Sequence, residues 1–151
     1  MTEARRTLDE LLAEAGAKID RLTPAEALAA LRGGGLIVDI RSTHARERDG
    51  IVPGSVHVPR TVLEWRLEPD GPWRNPHVSD LDRRLVVLCD HGYSSIFAAA
   101  ILAELGYTRP ADVIGGFEAW AAAGLPVATA SPEAVEPPGM GGPDSAMGSP
   151  R

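Results

Sequence analysis

Short, continuous apolar runs alternate along this chain with stretches of helical character, and that alternation restricts the fold more than any other feature. Leu36-Ile37-Val38-Asp39-Ile40 and Leu85-Val86-Val87-Leu88 are apolar in succession, rich in β-branched residues and too short for helices. Asp112-Val113-Ile114 is a third run of the same kind. Strands that are apolar on both faces belong to parallel sheets, where crossover helices cover both surfaces. Further short strands are expected at Ile19-Asp20-Arg21-Leu22, on an edge, and at Val56-His57-Val58 after the turn Val52-Pro53-Gly54-Ser55. Helices are expected over residues 7–17, with Leu8, Leu11, Leu12 and Ala15 on one face, and from Thr23-Pro24-Ala25-Glu26 onward. The latter combines an N-cap, a proline at the first helical position and an acid at the third. More helix is expected over 61–67, 94–105 and 117–122, whereas the polar stretch 41–50 and the proline-containing stretch 68–80 read as loops. The sum is an α/β fold around a mostly parallel sheet.

Gly33-Gly34-Gly35 follows a helix and precedes a strand. That order makes it a helix cap and turn, because a phosphate-binding glycine loop runs from strand to helix. Hydrophobic residues make up 44% of the chain, enough for one core, but aromatics only 5%, so aliphatic and alanine side chains must fill it. With 21 acidic and 15 basic residues the formal charge is -6, the opposite of the basic surplus that binds nucleic acid. No apolar run approaches the roughly 20 residues that span a bilayer, and the first residues, MTEARRTLDELLAEAG, carry acids inside their apolar stretch, unlike a signal peptide. From about Thr129 onward proline, glycine and serine dominate without any apolar period, so a disordered tail over 129–151 is expected. The reading divides the chain into an N-terminal helical extension (1–18), one domain (19–128) and that tail.

The single cysteine, Cys89, excludes an internal disulfide and fits a reducing, cytoplasmic setting. A lone cysteine is ordinarily a small buried hydrophobe. This one closes the strongest predicted strand and opens the loop Asp90-His91-Gly92-Tyr93 directly before a helix at Ser94. In an open parallel sheet, sites form beyond the carboxyl ends of the strands. Backbone N–H groups of the loop and helix start favour an anion there, and a helix amino terminus adds roughly half a positive charge. A thiol that ordinarily titrates near about 8.5 is pulled down in such a place, and the thiolate is the nucleophile. Gly92 and the small Ser94 and Ser95 suit a loop that wraps one atom closely.

The loop Cys89-Asp90-His91-Gly92-Tyr93-Ser94-Ser95 resembles the C-x-x-G-x-[RK]-[ST] loop of the rhodanese-like family. Val38-Asp39-Ile40-Arg41, followed by Gly50-Ile51-Val52-Pro53-Gly54-Ser55, is similar to the family's D-x-R … G-H-I-P-G-A segment. Gly115-Gly116-Phe117-Glu118-Ala119-Trp120 with Gly124-Leu125-Pro126-Val127 is similar to its G-G-x-x-A-W … G-x-P-V ending. The resemblance spans residues 19–127. It implies a three-layer α/β/α domain with a five-stranded, mostly parallel sheet. It also implies a sulfurtransferase of the single-domain type, with no cofactor and no metal. Cys89 would take sulfane sulfur as a persulfide from thiosulfate or another persulfide and pass it to cyanide or a thiol, small or protein-borne. The amides of Asp90, His91, Gly92, Tyr93, Ser94 and Ser95 would hold the charge, and the Ser94 and Ser95 hydroxyls would add hydrogen bonds. Asp39 and Arg41 would orient the loop.

The chain departs from the family pattern at Ser94, where a loop cation is usual, at Asp90, which adds a negative charge, and at Ile51, which replaces a histidine. A charge-assisted hydrogen bond is worth about 1.5–3 kcal/mol, so weaker use of anionic donors such as thiosulfate is expected. Trp65-Arg66 and Trp73-Arg74 flank the long loop and offer a substitute cation, and His91 offers another in mild acid. The alternative is a module of the same family, weak or inactive in turnover, that binds a partner or senses. Phosphatase chemistry would need an arginine to clamp a phosphate dianion, and no Arg or Lys lies between Cys89 and Arg109. His44, His57, His77 and His91 are scattered, which speaks against a metal centre, and a G-x-S-x-G nucleophile elbow is absent.

Overall fold

A computed structural model of the chain describes residues 4–78 and 80–130. Helix α1 (Leu8–Gly16) begins at Thr7, whose hydroxyl accepts the Glu10 N–H while the Glu10 carboxylate accepts the Thr7 N–H. The same reciprocal cap between Thr23 and Glu26 starts α2 (Pro24–Arg32), and Pro24 occupies a position whose N–H would have no helical partner. The strands are β1 (Asp20–Leu22), β2 (Leu36–Asp39), β3 (Val56–His57), β4 (Leu85–Leu88) and β5 (Pro110–Val113). They form one sheet in the order β1-β5-β4-β2-β3, and every neighbouring pair is parallel. The remaining helices are α3 (Thr43–Asp49), α4 (Leu63–Leu67) behind a 3₁₀ turn at Arg60–Val62, α5 (Ser94–Glu104) and α6 (Gly116–Ala122).

One expected loop is a helix. Ser42 accepts the Ala45 N–H and starts α3 inside the polar stretch 41–50. No helical period is legible there because the buried side chains of α3 are Ala45 and the charged Arg46, which leaves no apolar stripe to read.

Side chains alternate across a strand, and the sheet uses both faces. Leu36, Val38, Leu85 and Val87 pack against Leu63 and Leu67 of α4 and Ala98, Ala99 and Leu102 of α5. Ile37, Val86, Leu88, Ala111 and Val113 pack against Ala27 of α2 and Phe117 and Trp120 of α6. This burial on both sides is the physical reason that the central strands are apolar in succession. Helix α1 does not stand apart: Ala15 and Leu12 lie against Ile96, Phe97 and Ala100 of α5. After α6, Trp120 Nε1 donates to the Pro126 carbonyl, and Ile51 and Ala128 exchange two backbone hydrogen bonds. The tail expected over 129–151 lies outside the described residues from 131 onward.

The chain leaves β2 outward to β3 and leaves β4 in the opposite direction to β5. The winding therefore reverses between β2 and β4, and such a reversal opens a crevice at the carboxyl ends of the strands. Cys89 is the first residue beyond β4.

Candidate active site

Cys89 is 5% exposed and closes the aliphatic cluster on the α4–α5 side of the sheet. Its sulfur is not left to that cluster. Sγ accepts the Gly92 N–H at 3.1 Å. Helix α5 begins at Ser94 with no side-chain cap, so its first amides are open to an anion at the loop. Burial pushes the Cys89 thiol up, but hydrogen bonding from Ser95, Ser94 and the Gly92 N–H outweighs it. The net displacement is downward, toward the thiolate.

The loop conformation rests on backbone-to-backbone contact with a distant motif. Gly92 has φ +84°, and a Cβ built there would stand 2.5 Å from the Gly115 nitrogen. Gly116 has φ +63°, and its Cβ would stand 2.5 Å from the Cys89 carbonyl oxygen. Both positions combine a left-handed backbone with no room for a side chain. That closeness lets the Phe117 N–H donate to the Cys89 carbonyl at 2.8 Å and the Glu118 N–H to the Asp90 carbonyl at 3.1 Å. The cysteine loop and the Gly115-Gly116 turn are one structure.

A buried charge cluster supports this structure from the other side. Asp39, fully buried at the end of β2, accepts from the Arg41 N–H, Nε and Nη2 at 2.9–3.1 Å and from Arg46 Nε at 3.3 Å. Arg41 Nη2 also donates to the Gly50 carbonyl, and His57 Nε2 lies 2.7 Å from the Arg41 carbonyl oxygen. The Arg41 guanidinium stands 4.0 Å from the centre of the Phe117 ring, a cation–π contact. Asp39 and Arg41 are thus a core pair and not a surface pair, connected to Cys89 through Phe117.

The predicted loop residues occupy different environments. His91 is exposed and its Nδ1 lies 2.6 Å from Glu118 Oε2. Tyr93 and Ser94 are exposed and Asp90 is half-buried. Ser95 is buried, and its hydroxyl donates to Asp112 Oδ2 at 2.7 Å. Trp65 and Arg66 lie on α4, and neither is hydrogen-bonded to the loop among the described residues. Trp65 is 58% exposed and lines a groove with Glu64, Glu68, Gly71, Pro72 and Trp73. Arg66 is buried and donates to the Trp73 carbonyl, and burial lowers its pKa with no carboxylate to oppose it. Here the tryptophan is the exposed member and the arginine the packed one, because α4 turns Leu63, Arg66 and Leu67 inward.

Sequence reasoning missed Arg21 and Asp112. They are register partners on β1 and β5, joined by Arg21 Nε to Asp112 Oδ1 at 2.9 Å and Nη2 to Oδ2 at 3.2 Å, and Arg21 Nη2 also donates to the Gly92 carbonyl at 2.9 Å. Opposite charges in two predicted strands were the available signal, but they meet only when β5 lies between β1 and β4.

The rhodanese-like domain family model matches residues 23–123. Thiosulfate sulfurtransferase GlpE of Stutzerimonas stutzeri is 38% identical over 100 residues, covering 66% of this chain and 83% of its own length. The protein of the same name from Haemophilus influenzae is 32% identical over 110 residues, covering 72% and 94%. Among solved structures, a Rhodopseudomonas palustris protein of unknown function, described as a possible tyrosine phosphatase, is 35% identical with a TM-score of 0.76, covering 85% of this chain and 98% of its own. The polysulfide-sulfur transferase homodimer of Wolinella succinogenes is 25% identical with a TM-score of 0.63, covering 80% and 86%.

Proposed function

Because this chain belongs to the rhodanese-like domain family, we propose that it is a sulfurtransferase that carries sulfane sulfur as a persulfide on Cys89. The observation that carries the reading is the Gly92 N–H on Sγ at 3.1 Å, at the uncapped start of α5. The Cys89 thiolate attacks the outer sulfur of thiosulfate, the S–S bond of the donor breaks with its electron pair, and sulfite leaves. Cys89 then bears an outer sulfur with one negative charge. A thiolate or cyanide attacks that outer sulfur, giving a new persulfide or thiocyanate, and Cys89 returns as thiolate. A persulfide donor follows the same course with a thiolate as leaving group. The charge stays within the mouth of this loop, on Sγ or on the sulfur bonded to it, so the amides of residues 90–95 stabilise each state. Asp39 and Arg41 act at a distance, holding Phe117 and through it the Cys89 carbonyl.

The partners in this scheme are small sulfur compounds or a protein thiol. Among the described residues no helix is long and apolar enough to cross a membrane. A working thiol suits a reducing compartment such as the cytoplasm. Incubation with thiosulfate, followed by intact-mass measurement, should show the gain of one sulfur atom, discharged by cyanide and absent in Cys89→Ser. A protein whose thiol alkylates but never gains sulfur from thiosulfate, polysulfide or a small persulfide would instead be a docking or sensing module. Ser94 leaves the loop without its own cation, and Ser94→Arg is expected to raise turnover at low thiosulfate by about tenfold or more. Unchanged or lower turnover in the folded variant would refute that account.

The Rhodopseudomonas palustris relative raises phosphate-ester hydrolysis as a second reading. Residues 90–95 contain no Arg or Lys, and a phosphate dianion needs a bidentate clamp. Hydrolysis of p-nitrophenyl phosphate above background would reverse this ranking.

A further inference from the structure

Arg21 donates a hydrogen bond into the cysteine loop, at the Gly92 carbonyl. It reaches the loop from β1, across β5, and its direction is fixed before it arrives. Asp112, fully buried, takes two of its hydrogen bonds in a fork, a geometry that guanidinium and carboxylate match better than any other pair. The same carboxylate accepts the Ser95 hydroxyl at 2.7 Å. Gly92 is therefore held at both of its polar atoms, its N–H on the sulfur at 3.1 Å and its carbonyl by Arg21 at 2.9 Å. A glycine at φ +84° has little conformational preference of its own, so these two partners add to the Gly115-Gly116 contact in fixing it.

We infer that Arg21, aimed by Asp112, is the positioning cation of the cysteine loop: it supplies from outside the loop the positive charge that Ser94 does not, and it keeps the Gly92 N–H on the sulfur. This rests on the sulfur-carrier reading for its purpose but not for its geometry. The electrostatics agree. The Arg21 guanidinium is held charged first by its hydrogen bond to Asp112, against partial burial, with a contribution from negative charge on Cys89. Arg66 feels only burial. The other titratable or charged groups around the loop are Asp90, His91 and Tyr93 on it, Arg48 and Asp49 of α3 and Glu118 of α6, which line one pocket with Asp90 and His91, and the Asp39, Arg41 and Arg46 cluster behind Phe117.

The test is the pH dependence of Cys89 alkylation by iodoacetamide, a readout that a purely structural residue leaves unmoved. In Arg21→Met the midpoint rises, and below it the rate falls roughly tenfold for each pH unit of displacement. Arg21→Lys, which keeps the charge but loses the fork, recovers part of the loss. Arg21→Met leaves Asp112 buried and unpaired, so the deciding variant is Arg21→Met with Asp112→Asn, which removes that charge while the amide oxygen still accepts from Ser95. A midpoint that stays raised in the folded double variant supports the inference. A midpoint that returns to the wild-type value overturns it, since Arg21 would then serve only Asp112. The two readings fail separately. A wild-type protein that takes up no sulfur removes the carrier function while the alkylation profiles still decide the role of Arg21.

Discussion

At the scale of single residues, the chemistry depends on two atoms that must not exist. A Cβ on Gly92 would meet the Gly115 nitrogen at 2.5 Å, and one on Gly116 would meet the Cys89 carbonyl oxygen at the same distance. Neither neighbour is the flexible end of a side chain, so the backbone itself would have to shift. Gly92→Ala is expected to slow Cys89 alkylation at neutral pH several-fold, because the displaced loop moves its N–H off the sulfur. It should also lower stability by about 1–3 kcal/mol from the left-handed backbone and the clash. Alkylation kinetics beside a denaturant titration check both, and an alanine variant with wild-type reactivity would show that the Gly92 amide is dispensable. Cys89 itself joins two properties usually found apart. It is buried among aliphatic side chains, yet its thiol is shifted toward the thiolate because the hydrogen bonds it receives outweigh the burial.

At the scale of elements, the long connection between α4 and β4 has little regular structure, and the Tyr107 side chain helps to fasten it. The Tyr107 hydroxyl lies 2.6 Å from the Leu67 carbonyl at the end of α4 and 2.9 Å from the Val78 carbonyl further along, and its single proton serves both. Burial pushes the Tyr107 pKa up to about 12. The unfolded chain loses that proton near about pH 10, while the folded chain keeps it. The stability this provides is whole below about pH 10 and is lost as pH rises through the folded value. Chemical denaturation between pH 9 and 12 should show a decline that Tyr107→Phe flattens, with the variant about 1 kcal/mol less stable at neutral pH. An identical alkaline decline in both proteins would exclude Tyr107 as its source. The α3 segment makes the complementary point. Its inward Arg46 joins Arg41 on Asp39, so a helix with almost no apolar face is held by a buried carboxylate.

At the scale of the whole molecule, the reversal of winding between β2 and β4 places Cys89 where loops from both halves of the sheet converge. Helix α1 contributes from the far side. Ala15 and Leu12 cover Ile96, Phe97 and Ala100 on α5, the helix whose amino end faces the sulfur. Deleting residues 4–17 exposes that face, and the melting temperature should fall by about 5–10 °C. A truncated protein that melts with the full chain would show α1 to be dispensable for the fold.

The sequence by itself determined the parallel α/β architecture, since continuous apolar strands follow from burial on two faces. It determined the capped start of α2 and the place of Cys89 at a strand-to-helix loop. These are local matters: side-chain period, cap chemistry and turn residues act within a few positions. The tertiary structure alone decided which charges meet. Asp39 gathers Arg41 and Arg46, Asp112 gathers Arg21 and Ser95, and Arg66 donates to the Trp73 carbonyl. Residues 21, 92 and 112 come together only because β5 lies between β1 and β4. A charge pair between strands far apart in the chain depends on strand order, and strand order leaves no periodic trace in the strands that obey it.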